Sequence, residues 1–136
     1  MRNIFIYHAF LYGECEDMNG HLERIDHRGK HILYFDFSGL FGEEYLQTLN
    51  EVKDFILDLQ QDDLLLLVNV SQTYADKKIL MQYNEIGKQI KSSVAKVAVI
   101  GVSKTQDVFL SMINLVTGVD AKTFPTFDEA KEWLIE

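Results

Sequence analysis

Residues 3–11 are apolar and aromatic, a first strand by pattern, and Gly13–Gly20 is acidic and turn-like, ending on the turn dipeptide Asn19-Gly20. His21–His27 and His31–Phe37 then flank Arg28-Gly29-Lys30, which predicts a β-hairpin with Gly29 at positive φ. In the second arm Ile32 and Tyr34 alternate with Leu33, Phe35 and Phe37, so both faces are apolar until Asp36. From Glu43 the period lengthens to that of a helix. Leu46, Leu49, Val52, Phe55, Ile56 and Leu59 make one stripe, with Glu43 and Glu44 in the first turn, where the helix dipole favours anions.

Leu64-Leu65-Leu66-Leu67-Val68 is a continuous apolar run, the pattern of a central parallel strand covered on both sides. A second helix is expected over 76–92, burying Ile79, Leu80, Tyr83, Ile86 and Ile90. Lys88 and Lys91 at its end, with Lys96 beyond, read as lysines that complement a helix C-terminus. Lys96–Val102 is another apolar strand. Ser103-Lys104-Thr105-Gln106 has the form of a capping box, opening a helix that buries Val108, Phe109, Met112, Ile113 and Val116 and stops near Gly118. A short strand at 120–124 precedes Pro125, and Thr126-Phe127-Asp128-Glu129 is a second capping box, with Ala130, Trp133 and Leu134 turned inward. The order predicts one α/β domain over residues 1–136, a hairpin followed by parallel strands in a mixed sheet with four helices. Strands 31–37 and 95–102 are apolar on both faces, so the face away from the helices needs a cover, either the N-terminal segment or a second subunit.

Charge narrows the partners. The 136 residues carry a net charge of −8. Five basic and thirteen acidic side chains lie in residues 1–70, against eight of each in 71–136. A basic footprint supplies most of the affinity for nucleic acid and anionic membrane surfaces, so neither is an expected partner. No run reaches the ~18–20 apolar residues of a bilayer span, and the opening segment has Glu14 directly before Cys15, where a processed signal needs a small residue. Cys15 is the one cysteine, which fits a reducing cytoplasm and excludes an internal disulfide.

Catalytic motifs are missing. A P-loop ending at Lys104-Thr105 needs glycine at 98 and 103, where Ala98 and Ser103 stand, and there is no GxGxxG, GxSxG or HExxH. His8, His21, His27 and His31 lack metal-site spacing, although His27 and His31 flank the hairpin turn. Glu14, Glu16 and Asp17 lack the spacing of a calcium loop. No cofactor or metal is expected. Asp36 and Asp76 are the candidates for an acid/base pair at the strand ends.

Open parallel sheets bind ligands beyond the carboxyl ends of their strands. Ser71, Thr73, Tyr74, Ser103 and Lys104 occupy those loops and form the candidate ligand site, with Lys104 as charge partner for an anionic or lipid head group. The plainer role for the hydroxyls is to cap helices and satisfy turns.

Residues 22–136 resemble the SpoIIAA-like proteins, which belong with the STAS domains and share a broader fold with CRAL-TRIO lipid-binding domains. The likeness rests on His31-Ile-Leu-Tyr-Phe-Asp-Phe-Ser-Gly39, Leu66-Leu-Val-Asn-Val-Ser-Gln-Thr-Tyr74, Ala98-Val-Ile-Gly-Val-Ser103, Thr117-Gly118 and Phe124-Pro-Thr-Phe-Asp-Glu-Ala-Lys-Glu-Trp-Leu134. In the anti-sigma-factor antagonists of that group the resemblance implies a phosphorylatable serine in an Asp-Ser-Ser-like motif. The matching stretch here, Tyr74-Ala75-Asp76-Lys77, has no serine after the aspartate, leaving Ser71 and Thr73 just upstream as phosphorylation candidates. The expectation is a non-enzymatic cytoplasmic STAS-like regulatory module that binds a protein partner or a second copy of itself. The alternative is a domain that binds or senses a small molecule, nucleotide or lipid at the strand-end loops.

Overall fold

The structure is a computed structural model and describes residues 16–17, 21–103 and 118–136. Strand β1 (Glu16–Asp17) pairs along the edge of β2 (Leu22–His27), and β2 turns back antiparallel into β3 (Lys30–Asp36). The turn is tighter than predicted, because Lys30 already belongs to the strand. Arg28 and Gly29 both take positive φ, 49° and 81°, as a type I′ turn requires, and its twist matches that of the strands it joins. Parallel strands β4 (Leu64–Asn69), β5 (Val94–Ile100) and β6 (Ala121–Phe124) follow, so the sheet runs in chain order from β1 to β6.

Helix α1 (Gly42–Leu59) joins β3 to β4, α2 (Lys77–Ile90) joins β4 to β5, and α3 (Phe127–Leu134) follows β6. The mixed α/β class is as expected, but the described residues hold three helices where the sequence predicts four. The helix expected from Ser103 to near Gly118, and the strand expected over 3–11, lie outside the described residues.

Local signals explain the helix starts. The Asp76 carboxylate accepts from the Ile79 amide at 3.0 Å, and the Thr126 hydroxyl accepts from the Glu129 amide at 3.2 Å, the donor that the capping box predicts. Helix α1 buries Leu49, Val52, Phe55, Ile56 and Leu59 of the predicted stripe, and adds Tyr45 and Thr48.

Alternation along the strands divides the core in two. Leu33, Phe35, Leu66, Val68 and Val99 face α1 and α2. Ile32, Leu67 and Ala98 face the other way, against Ala130 and Leu134 of α3. Among the described residues α3 covers that outer face; the expected N-terminal strand lies outside the described residues. The contacts of α3 reach back to the hairpin, where Glu132 accepts from His27 Nε2 at 3.2 Å and from Arg28 at 2.9 Å.

Lys96 departs from expectation. It serves the C-terminus of α3 rather than that of α2, donating to the Trp133 and Glu136 carbonyls at 2.9 and 3.3 Å while its ammonium lies 4.8 Å from the Trp133 ring centre. Lys88 pairs with Glu85 on its own helix.

Leu134 is 1% exposed and plugs the outer face. Leu134→Ala is expected to destabilise the domain by about 2–5 kcal/mol, read from the urea midpoint at constant slope. An effect below ~1 kcal/mol would mean that α3 is not holding that face.

Candidate functional site

The carboxyl ends of β3, β4 and β5 are tied to one another by backbone bonds running across the loops. Phe37 donates to Asn69, Gly39 to Ser71, Val70 to Ile100 and Tyr74 to Leu40, at 2.9–3.1 Å. Ser71, Thr73 and Tyr74 thus share one turn beside the Phe37–Phe41 loop, and residues 101–103 adjoin it.

Within that turn the two hydroxyls are committed. Ser71 donates from its amide and its Oγ to Asn69 Oδ1, at 3.0 and 2.7 Å. Gly101, with φ of 80°, presses on the same residue; a Cβ there would come within 2.7 Å of the Ser71 nitrogen, so only glycine fits. Thr73 Oγ1 donates to the Val70 carbonyl at 2.8 Å. Tyr74 is 69% exposed, and Phe41, which follows the Leu40 carbonyl that the Tyr74 amide reaches, is 68% exposed. Ser103 is exposed, and Lys104 lies outside the described residues. The loop edge therefore brings Ser71, Thr73 and Tyr74 together in a turn whose hydroxyls serve the backbone.

Beneath the turn is a feature that the sequence reading missed. Between the inner sheet face and helices α1 and α2 lies a cavity of about 150 Å³. Its described walls include Phe35, Leu66, Val99, Leu49 and Ile86, with Val102 and Val119 at one side. Three hydroxyl-bearing residues also line it: Thr73, Tyr45 and Tyr83. The two phenol oxygens are 2.5 Å apart, and Tyr45 is hydrogen-bonded to Thr73 as well. Burial pushes the Tyr83 phenol well above its ordinary value of 10.0, and the neighbouring Tyr45 adds to the shift. Burial raises Tyr45 too, although its bonds to Tyr83 and Thr73 pull it back. Periodicity marks each of these residues as inward but carries no information on whether the inward side chains fill the volume between them.

The other candidates have partners within the fold. Asp36 Oδ1 accepts from the Ser38 amide at 3.0 Å, and Asp76 caps α2, so both carboxylates of the suggested acid/base pair serve backbone turns. His27 is engaged by Glu132 and His31 by Asp26. No group of three or more metal-ligating side chains exists among the described residues. No helix among them is long and apolar enough to cross a membrane.

The family model of SpoIIAA-like proteins matches residues 14–135. The fold is similar to the crystal structure of an uncharacterised protein of the DUF3478 family, described as having a SpoIIAA-like fold, from Shewanella loihica PV-4. That likeness has a TM-score of 0.65 at 17% identity and covers 83% of this chain and 91% of that one. No curated protein matches.

The buried phenols generate an alkaline signature. With a folded pKa above the unfolded one, Tyr83 keeps its proton in the native state while the unfolded chain ionises near 10.0. Its contribution is complete below that pH and is lost as pH rises beyond it. Urea midpoints are expected to fall between about pH 9 and 11, and less steeply in Tyr83→Phe. Equal slopes in the two proteins would show that Tyr83 is not desolvated.

Proposed function

Since the chain belongs to the SpoIIAA-like family, we propose that it is a non-enzymatic regulatory module that takes a small apolar molecule into the cavity between its sheet and helices α1 and α2. The observation that carries this reading is the cavity, about 150 Å³, whose wall among the described residues is hydrocarbon apart from three hydroxyls. Engineered cavities of that size lined by Leu, Ile and Phe stay dry and take up benzene. A largely apolar space with a few convergent polar groups is the usual form of a ligand site. The strand-end loops enter as its rim, through Thr73, instead of forming the pocket themselves. A reducing cytoplasm suits a chain with one cysteine.

Toluene is the direct probe. Binding with a dissociation constant below about 1 mM is expected by calorimetry or ligand-detected NMR, together with a rise in melting temperature. Val99→Phe, which fills part of the space from the β5 wall, should weaken binding at least tenfold without loss of fold. If toluene fails to bind the wild-type protein at millimolar concentration, the reading is wrong.

A second observation supports a protein partner, or a second copy of the chain, at the same edge. Phe41 and Tyr74 are both more than two-thirds exposed, and the backbone bond between Tyr74 and Leu40 holds their turns together. Thr73 in the cavity wall and Tyr74 on the surface are consecutive, so occupancy inside and contact outside meet on one turn. The double substitution Phe41→Ser, Tyr74→Ser is expected to abolish any self-association seen by sedimentation at micromolar concentration, or capture of a partner. Retention of either by the variant would place the contact elsewhere.

A further inference from the structure

We infer that Gly87 sets the size of the ligand the cavity accepts: a glycine where the inner face of α2 otherwise carries large side chains leaves a notch that a ring substituent fills. The inference rests on the ligand-binding reading above and names the residue that limits its ligand.

Position 87 stands apart from the other described glycines. Gly29, Gly39, Gly42, Gly101 and Gly118 all take positive φ, where the backbone itself favours glycine. Gly87 lies inside α2, in a conformation that every L-residue adopts, and there glycine weakens the helix relative to alanine. The backbone therefore gives no reason for it.

The reason lies in what the residue faces. Leu80, Tyr83, Gly87 and Ile90 recur at helical spacing, and all four line the cavity. Large side chains stand at three positions of that stripe and none at the fourth, which is buried. Close approach of a second backbone is the other use of such a glycine. The helix that packs along α2 is α1, and its printed bonds reach Gln82 through Asn50 and Tyr83 through Tyr45. Five residues at about 100° each put Gly87 about 140° around the axis from Gln82, away from that contact. At Tyr83 the helices meet through two phenol rings, 5.9 Å between centres, and not backbone against backbone. The missing side chain thus serves the cavity and not the helix pair.

Gly87→Ala separates the two uses. Where space is open the added methyl enters the cavity and the helix is strengthened, so the ligand-free variant is expected to fold about fivefold more favourably, read as a rise in urea midpoint at constant slope. The same methyl takes room from a ligand. Titrated by calorimetry into the full chain, toluene and p-xylene are expected to bind the wild-type protein within about fivefold of each other. The variant should lose p-xylene at least tenfold and toluene no more than about threefold. A urea midpoint that is unchanged or falls means that the glycine is there for packing, and overturns the inference whatever binds. Refusal of p-xylene by a wild-type protein that takes toluene, or a change in the variant that is absent or equal for the two compounds, also overturns it and leaves the cavity reading standing. If neither compound binds the wild-type protein, the cavity reading fails and the inference with it, whatever the midpoint does.

Discussion

Everything in this domain follows from the need to cover a sheet that is apolar on both sides. β3, β4 and β5 carry apolar side chains on both faces, so the register decides which set each cover meets. What fixes the arrangement is the unequal size of the covers. Among the described residues one face receives α1 and α2, eighteen and fourteen residues long, and the other the eight residues of α3. The small cover suffices because its face is lined by Ile32, Leu67 and Ala98 and is closed at its margins by Phe124, Tyr34 and Trp133. The cavity lies under the large cover, between α1, α2 and the inner sheet face.

The polar chemistry of the strand ends is organised around that same inner face. Asn69 sits where β4 ends, donates to the Tyr34 hydroxyl at 3.2 Å and accepts both donors of Ser71, so one side chain bridges the sheet and the turn above it. With Ser71 satisfied in this way and Gly101 pressed against it, the turn is held firmly enough to aim Thr73 downward and Tyr74 outward. The hydroxyls read from the sequence as possible ligand groups thus hold the turn, and the one that also reaches a cavity does so from its rim.

Much of the fold was legible because it depends on local periodicity and capping. The run from Leu64 to Val68 predicts a strand buried on both sides, and the Thr126–Glu129 box predicts the start of the last helix. The site was less legible, since it depends on distances between elements that no local pattern encodes. Nothing near Phe41 in sequence separates it from the buried Phe37 and Leu40, yet it is exposed at the start of α1. Tyr83 reads as an ordinary inward residue of α2, and its bond to Tyr45 spans 38 positions. Lys96 was read with the helix that precedes it, although its partners are the carbonyls of one that comes some forty residues later. A positive side chain near a helix end announces a cap, but sequence alone does not say which helix.

The grip of Glu132 on the hairpin tip spans more than one hundred positions, from His27 and Arg28 to the last helix. A ribosome releasing this chain from its N-terminal end delivers every other described strand and helix before residues 127–134 arrive. Until then the outer sheet face, with Ile32, Leu67 and Ala98 on it, lacks the one described helix that packs there. The outer face is thus closed by an element that leaves the ribosome later than every other described strand and helix, and its apolar side chains lack that cover in the interval.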